Sequence, residues 1–454
     1  MRTSLGVRSD RRLSSALALP AILAIVTAFL ATPAAADPDS ESEGSEREIH
    51  VLAQIRVRPE LRDQSDFSEA VPDRQRFWGQ RTRLGLDAKV HPKVEGRVLI
   101  QDTRFWGVEE GSTTQTGDEL QATDLFEGYI DLRWIWDLPL DLRLGRQTLH
   151  YGRERLVGTL DFSNFARTFD AFRFRYSLGA IALDVLSAKL ADTNPPPPFP
   201  STGVSDQDRN FSGVYFTRQG DRVEVADVYW LRDIDKSAPP SIPHPETKRH
   251  TFGARAKARL GAGIALEGEY SYQGGSAGPN EDLDIGAQAL AAELGWEGEG
   301  ERNPRALIGF DWATGDDDLA DEDLGTFNQL FPTGHSFLGY MDYVGRQNIQ
   351  AVHGEVGARL WKQISGTIAG HGFRLDQSRD AWFDASGAVK LPADPTRTHR
   401  GLGSEVDLVL RLGGIESTTI EGGYSRFFRG RVIKDAVAED VDSDWAYFSI
   451  KVDL

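Results

Sequence analysis

Arginine side chains recur at alternate positions in the first half of this chain. Arg81 and Arg83 stand two residues apart, and Arg173 and Arg175 repeat that spacing among aromatic residues. A guanidinium group stays charged and donates a fork of hydrogen bonds that matches a carboxylate. Alternate spacing puts such groups on one face of a β-strand. The pattern therefore indicates a surface that binds or passes carboxylate-bearing anions.

Ten arginines are the candidate site residues. Most of them fall on expected strand faces, whereas Arg146, Arg153 and Arg155 open a long connection that would narrow and charge a pore if it folded inward. The full set is Arg81, Arg83, Arg97, Arg133, Arg143, Arg146, Arg153, Arg155, Arg173 and Arg175. In the second half of the chain carboxylates outnumber the cations on the same faces. We therefore expect a basic wall from the early strands and an acidic wall from the later ones.

The elements that position these residues are strands of period two. In residues 81–90, Leu84, Leu86, Ala88 and Val90 share one face and polar side chains share the other. The alternation returns along the chain and predicts about 18 strands of roughly ten residues, the length that crosses a bilayer when tilted. The final strand of this set runs to the last residue. Aromatic residues near the strand ends fit an interfacial girdle; they are Trp134, Trp136, Tyr270, Tyr272, Trp296, Trp312, Trp361, Tyr424 and Trp445.

The connections between the expected strands alternate in length. Short ones include residues 91–93 and 413–414, whereas long ones include residues 148–168, 314–346 and 375–399. Outer-membrane barrels pair short periplasmic turns with long extracellular loops. The sequence therefore predicts an all-β protein, a transmembrane antiparallel β-barrel over residues 49–454.

The N-terminus has the layout of an export signal. Four arginines precede an apolar run broken by Pro20, and small residues follow at Ala34 and Ala36. This order predicts a signal peptide over residues 1–36 that is cleaved on export. Residues 37–48 are acidic and nearly free of apolar side chains, which predicts a disordered leader. No later apolar run is long enough to span a bilayer as a helix, so a membrane-embedded mature chain must be a closed barrel.

Composition excludes several classes of function. The 454 residues contain no cysteine and carry a formal net charge of −18. A chain without cysteine has neither disulfides nor thiolate metal sites. A strongly acidic chain is a poor ligand for nucleic acid, because phosphate contacts need clustered lysine and arginine. Mean hydropathy is −0.40, too polar for a helical membrane protein and compatible with a barrel whose lumen is wet.

Three stretches resemble the alginate-export family of outer-membrane porins. They are residues 145–152 (GRQTLHYG) continuing through 155–158, residues 169–176 (FDAFRFRY), and residues 331–342 (FPTGHSFLGYMD) followed by 345–349. The resemblance implies an 18-stranded barrel in the outer membrane that exports an anionic polyuronate through an arginine-rich constriction. It leaves the substrate open, because the family is broad.

Three classes of function are compatible with an outer-membrane barrel of this sequence. The leading hypothesis is a channel that passes anionic solutes by diffusion, with export of an alginate-like acidic polysaccharide as its specific form. The alternative is a general porin or a channel for small carboxylates. An outer-membrane barrel enzyme is a third class, for which His335, His371 and His399 are available. No nucleophile motif accompanies these histidines, and we expect no enzymatic activity.

The expected partners follow from the location. They are outer-membrane lipid and lipopolysaccharide, an anionic solute or polysaccharide, and periplasmic export machinery, with no nucleic acid. No cofactor is expected. Residues 314–323 are dense in carboxylates, which Ca²⁺ favours as ligands. The spacing of a Ca²⁺-binding EF-hand is absent there, and a solvated acidic loop is the better interpretation.

Overall fold

The structure is a computed structural model. It describes residues 47–67, 74–107, 123–190, 209–236, 246–278, 281, 283–437 and 441–454. The expected signal peptide and nearly all of the expected acidic leader lie outside these residues, so both stay predictions.

Eighteen strands form the barrel, as the alternating sequence predicts. They are β1 (Glu48–Asp63), β2 (Gln75–His91), β3 (Val94–Trp106), β4 (Thr123–Leu132), β5 (Leu140–Gln147), β6 (Phe169–Leu178), β7 (Ile181–Leu190), β8 (Arg209–Gln219), β9 (Val223–Asp235), β10 (Thr247–Gly261), β11 (Ile264–Ala277), β12 (Leu283–Glu297), β13 (Arg305–Ala313), β14 (Ile349–Trp361), β15 (Ile364–Leu375), β16 (Gly401–Leu412), β17 (Thr418–Arg429) and β18 (Ser443–Asp453). Short elements lie in the connections. They are the strands Asp323–Leu324, Trp382–Phe383 and Val389–Leu391, the 3-10 helices Ile135–Asp137 and Gly334–Ser336, and the helix α1 (Arg431–Ala436).

Every barrel strand pairs antiparallel with the next strand in sequence, and β18 returns to β1. The closing register places Ile55 opposite Val452 and Arg56 opposite Lys451. Closure gives each strand two hydrogen-bonded neighbours, so no backbone edge is left to face lipid. No helix among the residues described is long and apolar enough to cross a membrane.

The period-two pattern sorts side chains between the two faces of the sheet. On β14, Val352 and Val356 are exposed on the outer face, whereas His353 between them is buried on the inner face. Exposed apolar side chains recur on outer faces around the barrel, as contact with lipid requires. Most of the expected girdle residues are exposed, including Trp136 and Trp361. Trp445 is an exception, because its side chain points inward, is buried, and donates its Nε1–H to Glu60 at 3.1 Å.

The connections differ in length at the two ends of the barrel. At the periplasmic end, residues 262–263 join β10 to β11; both have positive φ angles, 50° for Ala262 and 77° for Gly263, as a tight hairpin turn requires. At the extracellular end, residues 148–168 join β5 to β6, and residues 314–348 join β13 to β14. We call these two long connections the first and second inward loops, because both enter the lumen.

Candidate functional site

The two inward loops pack against each other inside the barrel. The amide of Gly158 donates to the carbonyl of Phe331 at 2.9 Å, and the amide of Phe331 donates to the carbonyl of Leu156 at 2.8 Å. Val157 and Leu338 belong to a continuous buried apolar cluster that the loops share with the inner wall. A short stretch of paired backbone and an apolar core thus fill part of the lumen, which keeps the loop polar groups hydrogen-bonded.

The first inward loop contacts a group of arginines on the inner face of the barrel. We call this group the basic wall; it consists of Arg56 and Arg58 on β1, and Arg81 and Arg83 on β2. Arg56 and Arg81 donate to the backbone carbonyl of Asp161 at 2.8 and 3.0 Å. The Asp161 carboxylate lies 3.0 Å from Arg81 and 3.2 Å from Arg83. About half of the Asp161 side chain is exposed (49%), although Arg81 is fully buried (0%). The contact is therefore reachable from the water of the lumen.

Charge on the basic wall is not balanced locally. Arg58 binds Glu60 at 2.7 Å and donates to the carbonyl of Phe162 at 2.5 Å, while Arg56 meets neutral carbonyl oxygens of the loop. Burial alone would raise the pKa of the Asp161 carboxyl, but Arg81, Arg83 and Arg56 outweigh burial and lower that pKa below its usual value. Asp161 thus remains an anion held by an excess of guanidinium groups.

A second inner surface carries a group of carboxylates that we call the acidic wall. Its members lie on the inner faces of β11 to β16, and they are Glu267, Glu269, Glu293, Asp311, Glu405 and Asp407. The inward loops supply the matching cations. Arg153 and Arg155 both bind Glu293, and Arg346 lies 2.6 Å from Asp311. Arg155 and Glu293 are 2% and 4% exposed, so this contact is sealed from water.

Five further candidate arginines each lie beside a carboxylate of a neighbouring strand. The N–O distances are 2.7 Å for Arg97–Asp87, 2.6 Å for Arg133–Glu95, 2.7 Å for Arg143–Asp131, 3.6 Å for Arg173–Asp184 and 3.4 Å for Arg175–Asp184. These pairs keep the lumen polar without adding much net charge. Among these arginines and those of the basic wall, local excess of positive charge is therefore found on β1 and β2.

Arg146 lies apart from the other candidate residues. It follows Leu142 and Leu144 on one face of β5, whereas Arg143 occupies the opposite, inner face. Its guanidinium binds Asp170, directly opposite on β6, at 2.8 Å. By the alternation of the strand this is the outer face, near the extracellular rim, which places Arg146 outside the pore.

Sequence reasoning missed two arginines of the basic wall, Arg56 and Arg58, and the loop residue Asp161 that binds it. Arg56 and Arg58 follow the same period-two pattern, two residues apart on β1, and this signal was sufficient to find them. Asp161 had no such signal, because it belongs to a connection and meets Arg81 only through the fold.

The histidines considered for catalysis and the acidic residues 314–323 make contacts within the protein. His335 stacks on Phe162 with ring centroids 3.6 Å apart, and His371 lies 3.2 Å from Asp407. Within residues 314–323, carboxylates accept backbone N–H groups of their own segment, as Asp316 does from Asp318 at 3.1 Å. Among the described residues, no group of three or more histidine and carboxylate side chains is placed to hold a metal ion.

Comparisons with known proteins agree with this architecture. The family model described as alginate export matches residues 47–447. No curated protein matches the sequence. Among solved structures, Pseudomonas aeruginosa OpdK has a TM-score of 0.55 at 12% identity, covering 89% of this chain and 98% of that one. OpdL of the same organism has a TM-score of 0.59 at 14% identity, covering 90% and 99%. OccAB1 of Acinetobacter baumannii has a TM-score of 0.57 at 12% identity, covering 92% and 99%.

The solved structures are too distant in sequence to carry more than the fold. The family model spans nearly all of the barrel, and it agrees with the resemblance found in the three sequence stretches. The chain therefore belongs to the alginate-export family, and it is a β-barrel channel of the outer membrane.

Proposed function

We propose that this channel passes anionic solutes by diffusion, and that an acidic polysaccharide such as a polyuronate crosses it along the basic wall. One observation carries the proposal: the half-exposed carboxylate of Asp161 lies on Arg81 and Arg83 in the lumen. Asp161 occupies the position that a carboxylate of the solute would take. It marks a point in the lumen where arginine already binds a carboxylate.

The excess of arginine over carboxylate on the basic wall favours exchange of Asp161 for a carboxylate of the solute. A passing carboxylate can replace Asp161 on Arg83 without leaving a buried cation unpaired, because Arg81 keeps its bonds to loop carbonyls and Gln54. Weak and repeated binding of this kind allows a charged solute to pass and also to leave.

The test is the reversal potential of the purified channel in a planar bilayer under a salt gradient. We expect anion selectivity, with block by oligouronate added to one chamber. Arg83→Gln should reduce both selectivity and block, because it removes a guanidinium that reaches Asp161. Arg146→Gln is the matched control, since it removes one arginine from the outer face. Cation selectivity in the wild type, or equal losses in both variants, would contradict the proposal.

A channel for small carboxylates is the second candidate. The inward loops fill part of the lumen with an apolar cluster, which favours a slim solute. OpdK, which shares the fold, was solved with vanillate, a small carboxylate. Liposome swelling separates the candidates: uptake of small carboxylates without block by oligouronate would replace the polysaccharide with small anions.

A further inference from the structure

A recess of about 540 Å³ opens on the inner surface at the periplasmic end of β14 to β17. Its wall comes from the ends of these strands and from the turns at residues 362–363 and 413–417. The polar lining residues with charged or amide groups are Arg359, Lys362, Gln363 and Arg411, and hydroxyls come from Ser365, Thr418 and Thr419. The recess lies at the mouth where a solute exported from the periplasm would first meet the channel, and its lining residue Arg411 interacts with Tyr340 of the second inward loop.

Two cations of the recess are free of partners. Within the part of the chain that the structure describes, the side chains of Arg359 and Lys362 have no hydrogen bond or ion pair; the Lys362 ammonium lies only over the Trp361 ring, 5.7 Å from its centroid. Two other cations at this end, Lys93 and Arg133, are paired: Lys93 binds Asp137 at 2.5 Å, and Arg133 binds Glu95 at 2.6 Å. The recess thus has positive charge that the barrel does not neutralise.

Carboxylates around the recess bind groups other than Arg359 and Lys362. Glu421 binds Arg411, which itself lines the recess, and also accepts from the Tyr447 hydroxyl at 2.5 Å. Glu355 binds Arg305 at 3.1 Å. Asp453 lies 3.3 Å from Lys451 and accepts from Gln54 at 2.7 Å. Glu416, in the turn at residues 413–417, is a surface residue. None of these bonds reaches Arg359 or Lys362.

The strand register connects the recess with the basic wall. Thr419 of the recess is opposite Lys451 on β18, Lys451 is opposite Arg56 on β1, and Arg56 is opposite Arg81 on β2. All of these residues occupy inner faces. Because strands tilt in a barrel, a row of opposite residues climbs as it passes around the wall. Cations therefore follow one another from the mouth to the place where Asp161 is bound.

We infer that the recess is a loading site at the periplasmic mouth, which binds a carboxylate of the acidic solute before that solute reaches the basic wall. Arg359 and Lys362 supply the charge, and the Gln363 amide with the neighbouring hydroxyls supplies hydrogen bonds for sugar hydroxyls. A uronate, which combines a carboxylate with ring hydroxyls, fits this set of donors. The inference rests on the proposed passage of anions and adds a second site to it.

The experiment compares block by oligouronate from each chamber in the double variant Arg359→Gln/Lys362→Gln. We expect the blocking concentration to rise roughly tenfold from one chamber only, because two partly solvated charge contacts are lost at one mouth. The matched control is Arg218→Gln/Arg222→Gln, which removes two cations at the β8–β9 end of the same rim. It should leave block unchanged from both chambers.

The outcomes separate the two proposals. If the wild type is blocked and Arg83→Gln weakens that block, but the recess variant behaves as the wild type, the loading site is wrong and the anion channel stands. An equal loss in the control variant also overturns the loading site, since it would reflect rim charge in general. A wild type that is neither anion-selective nor blocked contradicts both proposals.

Discussion

The basic and acidic walls hold the same loop by opposite arrangements of charge. On the basic wall the strands supply arginines and the loop supplies Asp161; on the acidic wall the strands supply carboxylates and the loop supplies Arg153 and Arg155. The two contacts differ in how far their side chains are exposed to water. Asp161 is half exposed, whereas Glu293 and Arg155 are almost fully buried.

Burial decides what each contact does. Removing one partner of a buried ion pair leaves an uncompensated charge and is strongly destabilising, whereas a solvated pair exchanges at little cost. The acidic wall is therefore an anchor that fixes the first inward loop across the lumen. The basic wall is the side where a solute can compete, and two variants and the pH dependence of the wild type test this division.

Glu293→Gln should have the largest effect. It removes the carboxylate that Arg153 and Arg155 share, and breaking a buried pair of this kind costs about 3–5 kcal/mol. We expect the first inward loop to loosen, with a larger and noisier single-channel conductance. Glu355→Gln is the control, because Glu355 binds Arg305 of the barrel and no loop residue is involved in that ion pair. If both variants conduct as the wild type does, the acidic wall is not the anchor.

Asp161→Asn should have a smaller effect of the opposite kind. The amide keeps the shape of the side chain, and the backbone carbonyls of the loop still accept from Arg56 and Arg81. Loss of one negative charge leaves the arginines free for the solute, so anion selectivity should rise and oligouronate should block at lower concentration. Unchanged selectivity would show that solutes do not pass this point.

The pH dependence should be the smallest effect. The pKa of Asp161 is lowered in the folded protein, because Arg81 and Arg83 outweigh the effect of burial. The stabilisation by its carboxylate is therefore complete above the usual carboxyl pKa of 3.8 and is lost only as pH falls through the lowered value. Current noise in the wild type should increase below about pH 4. Asp161→Asn lacks this group and should show less change in the same recordings.

The sequence predicted the barrel and the inner placement of most arginines, since period two is a local property of each strand. The same alternation assigns Arg146 to the outer face and Arg56 to the inner face, so both were within reach of the sequence. Trp445 was assigned to the girdle because it is an aromatic residue near a strand end. Its position relative to Tyr447 and Ser443, which share the inner face of β18, indicated the opposite.

The sequence by itself determined which strands form, how they alternate in face, and that arginine is frequent on the inner faces of the early strands and carboxylate on those of the later ones. These features depend on neighbours along the chain and on the closure that a bilayer requires of a sheet. Only the tertiary structure decided that residues 148–168 and 314–348 enter the lumen and that Asp161 lies on Arg81 and Arg83. It also decided that Arg359 and Lys362 stay unpaired at the mouth, within the residues it describes. Pairing of this kind depends on distances between residues far apart in the sequence, which no local pattern encodes.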